Sequence, residues 1–160
     1  MKHLAAIALG SNLESQKYGG REANLREAIE RLRRMGEVRA VSSFYDTEPM
    51  GYVDQPRFLN GALLLETELE PLELMRGLLE IERAMGRERV GAVAKGPRVI
   101  DLDLLLYGQS VMNTAELTLP HPEMQGRRFV LEPLAEIAPE MVHPVLGVTV
   151  GEMLGRLEHL

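Results

Sequence analysis

Hydrophobic periodicity changes along this chain in an order that few folds accommodate. Residues His3 to Leu9 form a short apolar run that stops at Gly10-Ser11-Asn12, which reads as a buried strand feeding a loop. Leu25, Ala28, Ile29, Leu32 and Met35 then recur at helical spacing beneath an arginine-rich outer face, with Gly36 as the expected stop. Val38 to Tyr45 reads as a strand and Phe58 to Thr67 as a longer one. Pro71 opens a second helix at a favoured first-turn position, and Leu74, Leu78, Ile81 and Met85 form its core stripe before Gly86. A leucine-rich strand runs from Ile100 to Tyr107. Beyond it come a short piece at Val111-Met112-Asn113, an extended stretch from Leu117 to Pro122, and a helical stretch from Val130 to Ala138 containing Pro133. A last helix spans Glu152 to Glu158, with Thr149 and Glu152 as its capping box.

Strand-helix-strand-strand-helix-strand, followed by an irregular tail with helices, predicts an α+β fold of the ferredoxin-like class. The expectation is a mainly antiparallel β-sheet with helices packed on it. With 160 residues and no internal repeat, a single domain over 1–160 is expected, large enough to bury a core without covalent staples. Cysteine is absent, which excludes disulfides, thiolate metal sites and cysteine nucleophiles. The net charge of −6 argues against a general nucleic-acid binder, as does a set of only three phenylalanines and four tyrosines. The opening apolar run is too short for a signal peptide, and no stretch approaches the ~20 apolar residues of a membrane span. A cytoplasmic, monomeric protein with no membrane partner is expected.

The chemistry concentrates in the last strand of the series. Side chains alternate along a strand, so Asp101 and Asp103 share one face while Ile100, Leu102 and Leu104 occupy the other. Two carboxylates so close repel each other unless a cation lies between them. Hard oxygen ligands of this kind suit Mg²⁺, which completes its shell with water and substrate phosphates. Just before them, Arg87, Arg89, Lys95 and Arg98 stand against a single acid, Glu88. A local cationic loop on an acidic protein fits a small polyphosphate gripped by arginine forks.

Other segments look built for binding. Asp46 to Pro56 is a long loop with two prolines and a glycine. Asn60 interrupts an apolar strand with an amide able to donate and accept, as reading a heterocycle edge requires. Glu82 lies near a helix C-terminus, where the dipole disfavours negative charge, so it needs compensation that the following arginines could supply. His121, between Pro120 and Pro122, is held extended and can meet a phosphate or act as a base.

Together these stretches resemble the 6-hydroxymethyl-7,8-dihydropterin pyrophosphokinases of folate biosynthesis. The resemblance rests on Ala8-Leu9-Gly10-Ser11-Asn12-Leu13, Ser42-Ser43-Phe44-Tyr45 with Thr47, and Asp54-Gln55-Pro56 with Phe58-Leu59-Asn60. It continues through Gly96-Pro97-Arg98 with Ile100-Asp101-Leu102-Asp103, then Pro120-His121 with Met124, Arg127 and Phe129. It implies pyrophosphoryl transfer from ATP to the pterin alcohol, with two Mg²⁺ held by Asp101 and Asp103. It implies that Glu82, Arg89, Leu104, His121 and Arg127 line the nucleotide site, and that Arg87 and Arg98 neutralise charge developing during transfer. Phe58 and Phe129 would cover the two faces of the pterin, and Asn60, Thr47 and Met50 would meet its edge. The chain departs from the family in having Lys95 where a tryptophan is usual, Pro122 after His121 where an aromatic is common, and a basic loop about one residue longer.

Overall fold

The computed structural model of the chain describes residues 1–13, 18–47, 56–86 and 98–158. Its elements are β1 (His3–Ser11), α1 (Arg21–Leu32), β2 (Glu37–Val41), β3 (Tyr45–Thr47), β4 (Phe58–Thr67), α2 (Pro71–Ala84) and β5 (Asp101–Tyr107). They are followed by β6 (Met112–Asn113), β7 (Thr118–Leu119), a 3-10 turn (Met124–Gly126), α3 (Arg128–Ile137) and α4 (Val150–Glu158). The main sheet has the order β2-β4-β1-β5, with β3 also on β4, and its pairings are antiparallel. This is the expected α+β arrangement, with helices on both faces of the sheet.

Alternation along the strands builds two cores. Ile7, Leu9, Leu63, Leu65, Leu102 and Leu104 point to the face that buries Leu25 and Leu32 of α1 and Leu74 and Leu78 of α2. On the other face, Ala6, Ala62, Leu64, Leu105 and Leu106 meet Val130, Leu131 and Leu134 of α3 and Val150 and Met153 of α4. Each fully buried leucine adds roughly 1.5–3 kcal/mol, so both helix layers are held mainly by such residues. Leu105 and Leu106 are neighbours in sequence yet share a face. The β1–β5 register shifts between Ala6 and Ile7, whose partners are Leu106 and Leu104, so Leu105 is the extra residue of a β-bulge.

Several expected boundaries move for physical reasons. The single strand read from Val38 to Tyr45 is two strands separated by Ser42, Ser43 and Phe44. Ser42 donates its N–H to Ala62 O at 2.9 Å, while its hydroxyl accepts the Ala62 N–H at 2.8 Å, so a side chain replaces one carbonyl of the ladder. The first helix stops at Leu32, before Met35. Gly36 serves close packing there, because a Cβ on it would lie 2.3 Å from the Glu66 carbonyl oxygen on β4. The short piece at 111–113 is one arm of a small hairpin, β6 on β7. The helix read from Val130 begins at Arg128 and ends at Ile137, with Pro133 inside it. The Thr149–Glu152 capping box forms reciprocally at 2.9 and 3.1 Å, and α4 starts at Val150 rather than Glu152.

Candidate active site

One end of the sheet face that carries α3 and α4 supports a row of candidate side chains. In register across four strands lie Tyr45 of β3, Asn60 of β4, Gly10 of β1 and Asp101 of β5. Cross-strand partners share a face, so Tyr45, Asn60 and Asp101 all project from this one. The next row contains Ala62, Ala8 and Asp103. The middle strand therefore offers only Gly10 and Ala8 between an amide-bearing strand and a carboxylate-bearing one. A Cβ on Gly10 would stand 2.9 Å from Asn60 Oδ1 and 3.5 Å from Phe58 Cδ1, so the glycine makes room for both side chains.

Asn60 is buried and donates its amide to the Thr47 hydroxyl. Thr47 is the strand partner of Phe58. Two polar side chains and one aromatic ring are thus gathered on β3 and β4. Phe129 lies in the first turn of α3, on the same side of the sheet, and the Arg127 guanidinium sits over its ring at 5.6 Å. Arg127 also pairs with Glu123.

At β5, the Arg98 guanidinium lies 3.2 Å from Asp101 Oδ1, with both side chains partly exposed. Glu82, only 2% exposed, accepts the Leu102 N–H at 2.7 Å. His121 donates its main-chain N–H to the Leu105 carbonyl at 2.9 Å. Among the described residues β5 is an edge strand paired with β1, and Glu82 and His121 bond to its other side. Burial pushes the His121 imidazole below its ordinary pKa, and Arg127 pushes it the same way, against the opposing pull of Glu123 and Asp101. The ring is therefore held toward its neutral form.

The carboxylate pair fits a hard divalent cation. Asp101 and Asp103 leave one strand face together, are partly exposed, and have no bulky side chain between them and β1. Among the described residues no three His, Cys, Asp or Glu side chains group to hold a metal. Mg²⁺ commonly takes one or two carboxylates and completes its shell with water and substrate oxygens, which suits such a pair.

Comparison with known proteins gives the family. The sequence model of the 7,8-dihydro-6-hydroxymethylpterin-pyrophosphokinase (HPPK) family matches residues 6–139. The chain belongs to the HPPK family. It is 45% identical over 143 residues to 2-amino-4-hydroxy-6-hydroxymethyldihydropteridine pyrophosphokinase of Bacillus subtilis (strain 168), covering 88% of this chain and 81% of that protein. It is 40% identical over 156 residues to the folic acid synthesis protein fol1 of Schizosaccharomyces pombe, covering 96% of this chain but 20% of that longer protein. Its fold matches the crystal structure of wild-type Plasmodium falciparum HPPK-DHPS with STZ-DHP. That match has a TM-score of 0.78 at 15% identity and covers 98% of this chain and 43% of the other. It bears on the fold alone.

Within this HPPK-family chain the expected site residues separate into groups. Thr47, Phe58, Asn60, Phe129, Arg98, Asp101, Asp103, His121 and Arg127 lie on or around the open end of one sheet face, and Glu82 reaches the strand from α2. Leu104 differs from the rest in that its side chain is 2% exposed and packed in the core beside α1 and α2. The face opposite the aspartates is the buried one here, so only its main chain is left to meet a nucleotide. Met50, Arg87, Arg89 and Lys95 lie outside the described residues. Two groups escaped the sequence reading. Glu136 of α3 accepts the Ser43 N–H at 2.9 Å and the Tyr45 hydroxyl at 2.6 Å, tying the helix that carries Phe129 to the strand that carries Thr47. Asn12 bonds to both Arg98 and Pro56. Neither gives a local sequence signal, because the partners that define their roles lie 86 and 93 residues along the chain.

Proposed function

We propose that this chain transfers the pyrophosphoryl group of ATP to the hydroxymethyl group of 6-hydroxymethyl-7,8-dihydropterin, releasing AMP, in tetrahydrofolate synthesis. Family membership supports the reaction, and one geometric observation carries it for this chain. Asn60 and Asp101 flank Gly10 in one row, about 10 Å apart at the usual strand spacing. A flat bicycle read by Asn60 can extend its hydroxymethyl arm over the β1 position, where no side chain rises from Gly10 itself, toward a triphosphate at the aspartates.

Phe58 and Phe129 stack on the pterin, while Asn60 and Thr47 bond its edge. Met50 adds a contact from the segment preceding β4. Asp101 and Asp103 would hold Mg²⁺, two ions in the full assembly, which supply charge neutralisation and Lewis-acid polarisation of the triphosphate. Arg98, Arg87, Arg89 and Arg127 bind phosphate oxygens, and Arg98 and Arg87 offset charge as the leaving AMP departs. His121, held neutral, donates a hydrogen bond to a phosphate oxygen and gains a proton readily once that anion is present. The pterin hydroxyl oxygen attacks the β-phosphorus as the bond to the α–β bridging oxygen breaks in line. AMP leaves with that oxygen and the hydroxyl proton passes to solvent, so positioning dominates and no protein nucleophile is required.

Phosphorus NMR of the protein with ATP and Mg²⁺, with and without the pterin, tests this reading. The expected result is AMP and a pterin diphosphate only when pterin is present. Asp101→Asn and Asp103→Asn should each lower the rate by two or more orders of magnitude while keeping the circular dichroism spectrum. Release of ADP, or full activity in both variants, would overturn the assignment.

A further inference from the structure

Asn12 lies one residue beyond β1, the strand between the two that carry the candidate site, and is 1% exposed. Its main-chain N–H donates to the Arg98 carbonyl at 3.0 Å, and its Oδ1 accepts the Arg98 N–H at 2.7 Å. Asn12 therefore holds both main-chain polar groups of Arg98, the residue whose guanidinium contacts Asp101 at 3.2 Å. Its Nδ2 donates to the carbonyl of Pro56 at 3.1 Å, two residues before Phe58 opens β4. One buried amide thus bonds directly to the segment entering the phosphate side and to the segment entering the pterin side.

We infer that Asn12 is a positioning residue for the transfer, fixing the entry of β4 relative to the entry of β5 so that the acceptor and the triphosphate meet in line. The inference rests on the site reading above. Glu82 and Glu136 each brace one side of the site, whereas Asn12 spans it. In-line transfer is sensitive to relative placement, and a displacement of about 1 Å can cost roughly a hundredfold in rate. Asn12 touches neither substrate in this account, so its loss acts on turnover more than on either binding step.

The test compares wild type, Asn12→Ala and Asn12→Asp. Asn12→Ala removes the side-chain bonds to Arg98 and Pro56. Asn12→Asp keeps the acceptor for the Arg98 N–H but sets a carboxylate oxygen against the Pro56 carbonyl. Measured are kcat, equilibrium binding of the pterin alone and of a non-hydrolysable ATP analogue with Mg²⁺, and the melting temperature. The expected result is a kcat lowered roughly a hundredfold in Asn12→Ala and tenfold or more in Asn12→Asp, with each dissociation constant within about threefold of wild type. Unchanged kcat in folded variants, whatever the melting temperature, would overturn the inference. So would loss of binding confined to one substrate, which would assign Asn12 to that subsite alone. Should Asn12→Ala fail to fold, Asn12→Asp decides by the same criteria. A wild-type protein without pterin-dependent turnover would instead remove the functional reading itself, and this inference with it.

Discussion

Glu82 accepts the main-chain N–H of Leu102, the residue between the two site aspartates, at 2.7 Å. A carboxylate near the end of α2 therefore completes the outer edge of β5 at the point where Asp101 and Asp103 diverge from the buried leucines. Glu82→Ala leaves that N–H buried without this acceptor, and the expected cost is about 3 kcal/mol, a fall of roughly 6–12 °C in melting temperature. Glu82→Gln keeps an acceptor oxygen and should lose only about a third of that. Equal losses in thermal unfolding would show that charge, not acceptance, is what β5 needs.

Gly10→Ala puts a methyl group 2.9 Å from Asn60 Oδ1. Asn60 must move, and its bond to Thr47 moves with it. The expected outcome is pterin affinity weakened roughly tenfold, the size of one or two disturbed hydrogen bonds, with ATP affinity unchanged in calorimetric titrations. An unaltered pterin affinity would mean that Asn60 does not read the substrate.

His121 is depressed below 6.5 by burial and by Arg127, while Glu123 and Asp101 act to raise it. A depressed folded value means that its contribution to stability is present above about pH 6.5 and is lost as pH falls through the folded value. A bound triphosphate favours the imidazolium, so ATP binding near or below that pH should take up a proton. Binding enthalpies in buffers of differing ionisation heat measure this uptake, and His121→Asn should abolish it.

The Tyr45 hydroxyl is pushed up to about 12, chiefly by its hydrogen bond to Glu136 and then by burial. A raised phenol stabilises the fold below its ordinary value of about 10 and loses that contribution as pH climbs to 12. Glu136→Gln should bring one tyrosine down toward 10 in a tyrosinate absorbance titration and leave Tyr107, which is raised by burial, where it is. The pair is solvent-exposed, so the stability change should stay under about 1 kcal/mol.

Periodicity in the sequence was enough to place β4 at Phe58–Thr67 and to assign Asp101 and Asp103 to one face, because both follow from local alternation. The break at Ser42 was hidden because a hydroxyl there does the work of a carbonyl, and no hydropathy pattern registers that exchange. Glu82 was legible as a carboxylate in need of compensation. Its described partner proved to be a strand N–H twenty residues on, which only tertiary structure supplies. The burial of the Leu104 side chain was legible in the same alternation, which sets it opposite Asp101 and Asp103. Asn12 and Glu136 act through partners 86 and 93 residues away, beyond the reach of any local pattern.

The bulge at Leu105 has a consequence for the far end of its strand. Counting back from Tyr107 in strict alternation would send Asp101 and Asp103 into the layer under α1 and α2, among Leu9, Leu78 and Ile81. The additional residue reverses the parity once, so the strand changes from burying leucines beneath α3 to presenting acids toward open space. The orientation of the two carboxylates is thus decided by a miscount in the middle of β5, and a chain with perfect strand periodicity there would be a worse candidate for this chemistry.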